Sequence, residues 1–334
     1  MENDVILNVK DLTVHFEMEE ETVKAVNGFD LQLRKGKTIA LVGETGAGKT
    51  TVALSIMRLV QSPPGVIKSG SIELFGNDML HLSTHKLEEI RGKDVSMIFQ
   101  DPMTSLNPVF TVADQIAESI QLHENITKQQ AHEKALEMLE LVGISRSRGN
   151  DYPYQFSGGM RQRVGIAIAL ACNPKILIAD EPTTALDVTI QAQVLDLMKN
   201  LIDKYQMAMI LITHDLGIVA DVCDEVAIMY AGRIVEQGNL EEVFNNTLHP
   251  YTEGLFNSLP NINLRNEELK PIPGLMPDPT NLPTGCAFWP RCAYATEECK
   301  KRKPELKDFG GTHKAACLAY ESGDFKIKRG HTNG

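Results

Sequence analysis

The chain has 334 residues, 43% of them apolar, and a formal net charge of −11. That length holds two domains or one large domain with an extension, and the apolar share excludes a chain disordered by default. The acidic balance argues against nucleic acid as the main partner, and the longest apolar run, residues 164–172, falls far short of the roughly 18 residues a membrane span needs. The first residues, MENDVILNVK, lack a basic stretch followed by an apolar one, so a soluble cytoplasmic protein is expected.

Residues 5–16 alternate apolar and polar as a half-buried strand does, and residues 25–33 read as a second strand, antiparallel to it, leading to the turn RKGK. Phe16 ends the first strand, where a ring either stacks on a purine or packs a strand end. TIALV (residues 38–42) reads as a short buried strand, and TVALSIM (residues 51–57) as the first turns of a helix. Between them GETGAGKT, residues 43–50, fits G-x-x-x-x-G-K-[ST] in the strand–loop–helix context the pattern requires. Gly43, Gly46 and Gly48 let the backbone turn its N–H groups inward to meet a phosphate chain at a helix N-terminus. Lys49 would bring positive charge to the β- and γ-phosphates and Thr50 a hydroxyl to Mg²⁺.

Residues 69–76 hold a short strand between turns, and DVSMIF (94–99) is a compact strand ending on Gln100, followed by a polar, proline-containing loop from Asp101-Pro102 through Pro108. From residue 111 to about 142 the period is helical, with Leu136, Leu139 and Val142 on the apolar side, as in an inserted helical subdomain. FSGGMRQR (156–163) opens an apolar helix over 164–171; Ser157 can cap it, and the amides of Gly158 and Gly159 either face an anion or merely start a helix. KILIAD (175–180) is a buried strand closing on Asp180 and Glu181. A carboxylate at that end of a strand is where an open α/β sheet places its ligand chemistry, with Asp180 suited to hold Mg²⁺ through water and Glu181 to orient or deprotonate an attacking water. A turn over residues 182–187, a helix over 190–205 and a strand over 207–213 lead to His214, placed for a γ-phosphate contact. Residues 226–230 and 233–236 form a hairpin around Ala231-Gly232.

Taken in this order, GETGAGKT, Gln100, FSGGMRQR, ILIADEP, TALD and ITHD resemble the motif set of ABC-type ATPases over residues 1–240. The resemblance implies an α/β fold: a P-loop ABC ATPase core with a RecA-like mixed sheet and an antiparallel β subdomain (1–100 and 172–240), an inserted α-helical subdomain (101–171), and a small cysteine-rich C-terminal extension (241–334). It implies that ATP is contacted by Phe16, by Gly43, Glu44, Thr45, Gly46, Ala47, Gly48, Lys49, Thr50 and Thr51, and by Gln100. Mg²⁺ would be held by Thr50, Gln100 and Asp180, with Glu181 and His214 catalytic. Ser157, Gly158 and Gly159 would cap the ATP of a partner subunit and Asp187 would lie at the dimer seam. One departure stands out: the family's Leu-Ser-Gly-Gly-Gln is Phe-Ser-Gly-Gly-Met here, so Met160 removes a polar side chain.

LHPYT (248–252), PIPG (271–274) and GCAFWPRC (285–292) resemble the C-terminal extension of oligopeptide and dipeptide importer ATPases. That implies an ATP-hydrolysing subunit at the cytoplasmic face of the membrane, paired with a second homologous ATPase in a heterodimer, working with two membrane permeases and an extracytoplasmic peptide-binding protein, and with no nucleic acid. The alternative, a soluble ABC ATPase acting on nucleic acid or ribosomes, is disfavoured by a single motif set and no sustained heptads. Cys286, Cys292, Cys299 and Cys317 are separated by five, six and seventeen residues. Four thiolates suit a 4Fe–4S cluster, which the resemblance implies, or Zn²⁺, with free thiols as a third reading, and a metal would staple a proline-rich segment with few large apolar residues. KKRK, residues 300–303, reads as a solvated face or as a contact with lipid headgroups or nucleic acid.

Overall fold

A computed structural model describes residues 4–101, 105–184, 186–258, 271–323 and 325–327; Pro102 of the expected loop and Ala185 of the expected turn lie outside them. In chain order the elements are β1 (Val5–Glu17), β2 (Thr22–Arg34), β3 (Thr38–Val42), α1 (Lys49–Ile56), β4 (Gly65–Leu74), β5 (Asn77–Asp78), α2 (Thr84–Ile90), β6 (Val95–Ile98), α3 (Val112–His123) and α4 (Lys128–Leu141). There follow α5 (Gly158–Leu170), β7 (Ile176–Asp180), α6 (Val188–Tyr205), β8 (Ala208–Thr213), α7 (Leu216–Val222), β9 (Glu225–Tyr230), β10 (Arg233–Asn239), α8 (Leu240–Asn245), α9 (Pro250–Asn257), α10 (Glu297–Lys301), β11 (Lys307–Asp308) and β12 (Lys314–Ala315). They fall into two compact units, Met1–Leu7, Gln32–Thr38 and Glu73–Thr213 in one, and Asn8–Leu31, Ile39–Ile72 and His214–Gly334 in the other.

In the first unit β6, β7 and β8 run parallel, with Val95 opposite Ile176 and Ile176 opposite Ala208. Every residue of the three is buried, as an unbroken apolar run requires of a parallel strand covered on both faces. The helical stretch expected over 111–142 is two helices. Thr111 caps α3 by accepting from the Asp114 N–H (3.2 Å), and Thr127 caps α4 in a reciprocal pair with Gln130 (3.3 and 2.9 Å), so the T-x-x-Q at 127–130 restarts the helix where periodicity alone runs on. Ile116 and Ile120 of α3, Ala135 and Leu139 of α4, and Val164 of α5 are fully buried among these packed helices.

In the second unit β3 pairs parallel with β9, Val42 opposite Ile228, and β9 returns antiparallel into β10 through Ala231 and Gly232, whose φ of 48° and 80° match the hairpin to the strand twist. β12 adds to β10, Glu236 opposite Ala315, and β11 adds to β12. β2, β1 and β4 lie side by side in that order, most of their length in this unit. Along β1 the buried phase slips from Leu7 and Val9 to Leu12 and Val14 at Asp11, whose φ is 46°. Among the described residues no helix is long and apolar enough to cross a membrane.

Candidate nucleotide site

β3, the loop and α1 form in the second unit as strand, glycine turn and helix. Gly43 and Gly48 are fixed by space: a Cβ on Gly43 would lie 2.3 Å from the Met229 carbonyl oxygen, and one on Gly48, at φ 99°, 2.3 Å from the Ala25 carbonyl oxygen. No side chain fits at either position, so strand neighbours dictate the loop's glycines as much as any phosphate would. The Lys49 ammonium, 7% exposed, donates to the carbonyls of Gly43 (2.7 Å) and Glu44 (3.1 Å) inside the loop. Gly46 sits at φ 85°, and Thr45 and Thr50 are exposed, while Ala47 is buried and Thr51 half-buried. Phe16 is half-buried on β1, its ring 3.3 Å from where a Cβ on Gly65 would be.

The first unit carries the acids. Asp180 is buried (2% exposed) at the end of β7, and Glu181 follows at φ 44°, a left-handed conformation that costs an ordinary residue energy and concentrates at working sites. The Glu181 carboxylate accepts from the Gln100 amide (3.0 Å) and the Thr184 hydroxyl (2.9 Å), while its N–H donates to the Ile212 carbonyl (2.9 Å). Two sequence-expected residues eighty-one positions apart, Gln100 and Glu181, are thus in direct contact. The hard oxygen donors expected for Mg²⁺ divide between the units, Thr50 in one and Gln100 and Asp180 in the other. His214, exposed, begins the last segment of the second unit, immediately after β8.

Helix α5 begins at Gly158, well before the apolar stretch from Val164, because Ser157 caps it by accepting from the Met160 N–H (3.4 Å). Ser157 and Gly158 are exposed. A Cβ on Gly159 would lie 2.4 Å from the Ile190 side chain of α6, so this glycine also has a packing reason. The two departures from the family signature share one partner: the Arg148 guanidinium lies 4.2 Å from the Phe156 ring centroid and donates to the Met160 sulfur (3.4 Å). Asp187 caps α6, accepting from the Ile190 N–H at 3.0 Å.

The sequence reading missed the tie between loop and tail. The Arg291 guanidinium, 5% exposed, donates through both terminal nitrogens to the Glu44 carboxylate (2.6 and 3.0 Å), and the Tyr251 hydroxyl accepts from the Glu44 N–H (2.9 Å). Pairing with Glu44 raises the Arg291 pKa above its ordinary value. Tyr230, Tyr251 and Phe288 pack edge to face or tilted around it, with ring centroids 4.6 to 5.4 Å apart. His249 takes part as a neutral ring, its Nδ1 accepting from the Tyr251 N–H (3.0 Å); burial lowers its pKa to about 3. Glu236, fully buried, accepts from the N–H groups of Leu248 (2.7 Å) and His249 (2.9 Å) and pairs with His313 (2.9 Å). LHPYT and the arginine of GCAFWPRC were visible as motifs, but no local pattern tells which distant residue an arginine will clamp.

The metal expected in the tail has no ready-made site among the described residues. Cys286, Cys292, Cys299 and Cys317 stand close enough to interact electrostatically, and burial raises the thiols of Cys292 to about 11 and Cys317 to about 12. Four thiols are the right donors in kind, yet among the described residues no three His, Cys, Asp or Glu side chains are drawn together as a metal site requires. Nor does the segment depend on such a staple for packing: β12 is zipped to β10, Phe288, Ala315, Ala316 and Leu318 are buried, and Tyr320 packs edge-on against Phe309 and Phe325. The basic run is largely a solvated, paired face, Lys300 with Glu297 and Arg302 with Glu298 and Glu321.

A buried parallel strand, a loop with two glycines fixed by space, a lysine folded into that loop and an acid pair closing another buried strand together define a P-loop nucleotide-binding protein. Residues 26–184 match the ABC transporter family model, and residues 235–299 match the oligopeptide/dipeptide transporter C-terminal region. The chain is 50% identical to the oligopeptide transport ATP-binding protein AppD of Bacillus subtilis, over 95% of this chain and 97% of that one. It is 46% identical to the oligopeptide transport ATP-binding protein OppD of Escherichia coli, over 94% and 93%. Its fold resembles the dimeric ATP-binding cassette MJ0796 in a post-hydrolysis state bound to ADP and Pi, with a TM-score of 0.63 and 26% identity over 70% of this chain and 98% of that one. The chain therefore belongs to the ABC transporter family, in the branch of ATP-binding proteins that carry the oligopeptide/dipeptide transporter C-terminal region.

Proposed function

We propose that this chain is the ATP-hydrolysing subunit of a peptide importer. The observation that carries the reading is the joint presence of the phosphate loop over residues 43–50 and a tail of the oligopeptide/dipeptide type fastened to it through Glu44 and Arg291. In this reading Gly43 to Thr51 cradle the triphosphate, Phe16 stacks on the adenine, and Thr50, Gln100 and Asp180 hold Mg²⁺, which when bound neutralises charge on the β- and γ-phosphates. Glu181, aligned by Gln100 and Thr184, takes the proton of the attacking water, and His214 contacts the γ-phosphate. The exposed Ser157 and Gly158 at the start of α5, with Gly159, cap the nucleotide of a second homologous ATPase across a seam marked by Asp187. Closure of that heterodimer on ATP moves two membrane permeases fed by a peptide-binding protein, with the ATPases at the cytoplasmic face. The core parts (1–100 and 172–240), the helical insert (101–171) and the extension (241–334) are the working divisions of this reading.

The test is ATP hydrolysis by the chain assembled with its permeases in vesicles, with and without peptide and binding protein. Peptide-stimulated hydrolysis that Lys49→Ala abolishes is the expected result; hydrolysis indifferent to permeases and peptide would defeat the transport reading. A 4Fe–4S cluster or Zn²⁺ on Cys286, Cys292, Cys299 and Cys317 is a narrower part of the proposal, resting on the four-thiol donor set of the sequence. Anaerobically purified protein with neither iron nor zinc near one equivalent would remove it.

A further inference from the structure

Every polar group of Glu44 is engaged. Its carbonyl accepts from the Lys49 ammonium and the Ala47 N–H (both 3.1 Å), its N–H donates to the Tyr251 hydroxyl (2.9 Å), and its carboxylate receives the fork of Arg291 (2.6 and 3.0 Å). Two of these partners come from the extension, 207 and 247 positions along the chain. Arg291 is itself fixed, its Nε donating to the Pro273 carbonyl (2.8 Å) and one terminal nitrogen to the Tyr230 hydroxyl (3.4 Å). A bidentate arginine–carboxylate pair sets orientation as well as charge, which a lysine in its place would not do. Glu44 is also an anion inside a loop shaped for a polyanion. Unpaired, it would repel the phosphates that the loop's amides and Lys49 attract.

We propose that the C-terminal extension is a working part of the phosphate loop: Arg291 is a positioning residue that, through Glu44, holds the loop's first turn and cancels its negative charge against the bound triphosphate. This rests on the reading of residues 43–50 as the ATP loop. The extension thereby sets nucleotide affinity. An electrostatic role makes a demand that simple packing does not: the loss on removing Arg291 grows with ligand charge, and deleting the Glu44 charge repairs it.

The experiment is Mg-ATP and Mg-ADP affinity, by displacement of a fluorescent nucleotide, for the full chain and the variants Arg291→Gln, Glu44→Gln, Arg291→Gln with Glu44→Gln, Arg291→Lys and Lys49→Ala, each checked for melting temperature. Arg291→Gln is expected to weaken ATP about tenfold, equivalent to ~1.4 kcal/mol, and ADP less. The double variant should return to within about threefold of the parent, a coupling of the kind two contacting residues show. Arg291→Lys, which keeps the cation without the fork, should fall between parent and Arg291→Gln, and it carries the test if Arg291→Gln does not fold. Parental ATP affinity in Arg291→Gln, or an equal loss for ATP and ADP that Glu44→Gln leaves unrepaired, overturns the proposal while the ATP loop stands. A parent that binds neither nucleotide, or a Lys49→Ala chain that binds as the parent does, overturns the ATP loop and this inference with it.

Discussion

The Gln100 amide donates to the Glu181 carboxylate at 3.0 Å, joining the ends of two adjacent parallel strands, β6 and β7. Glu181 holds this position at φ 44°, with Thr184 bonded to the same carboxylate oxygen. In the proposed reading this carboxylate is the base that takes the water proton. Glu181→Gln keeps the shape and removes the carboxylate. Hydrolysis should fall at least about a hundredfold with ATP affinity kept, as measured by phosphate release and nucleotide binding on the same preparation. Parental turnover would take the base assignment away from this residue.

Gly159 makes a prediction about packing that a role for its amide alone does not. Because its Cβ position lies 2.4 Å from the Ile190 side chain, Gly159→Ala must push α5 away from α6 or force Ile190 off its rotamer. The expected cost is about 1–3 kcal/mol of stability, read from denaturant midpoints with the slope unchanged. Gly158→Ala, where the nearest atom is 3.9 Å away, should cost well under that.

Arg148 explains how this chain accommodates Phe156 and Met160 at the ends of its signature. It covers the aromatic ring, bonds the sulfur, and donates to Asp151 (2.7 Å) and the Gln155 carbonyl (3.1 Å), so one side chain gathers the whole approach to α5. Arg148→Ala should lower stability by about 1–2 kcal/mol. Because Ser157 is positioned by the same segment, ATPase activity of the assembled complex should drop more than that of the parent brought to equal stability by urea. Activity that follows stability alone would confine Arg148 to packing.

Much of the fold was legible because its strands are short, apolar and bounded by glycine or charge: β3, β7 and β8 fall within a residue of where their composition puts them. Helix starts were less legible. Ser157 and Thr127 set them through side-chain caps, which override the apolar stripe that periodicity follows. The phosphate loop could be read from spacing since glycine, lysine and hydroxyl act within eight consecutive residues. Glu44 with Arg291 could not, because a pair 247 positions apart leaves no local period. The packing of the tail is hidden for the same reason. Its apolar content is low, yet Phe288 and the rings of Tyr230 and Tyr251 pack together only once β10 has brought distant segments side by side.

His249 gives the extension an acid-sensitive hold. Its ring is fully buried and accepts at Nδ1 from the Tyr251 N–H, which requires that nitrogen to be unprotonated. Burial holds the folded pKa at about 3, against about 6.5 for an unfolded histidine. Between those values the unfolded chain binds a proton that the folded chain refuses, so stability is complete above about pH 6.5 and falls as the pH drops toward 3. The slope from this one group approaches ~1.4 kcal/mol per pH unit once the pH is well below 6.5. His249→Asn keeps an acceptor for the Tyr251 N–H and cannot take up the proton. Urea unfolding between pH 7 and pH 4.5 should show the parent losing more stability than the variant, and since Tyr251 also holds Glu44, nucleotide affinity should decline with it in the parent alone. Equal slopes for the two proteins would place the acid sensitivity of the extension on another group.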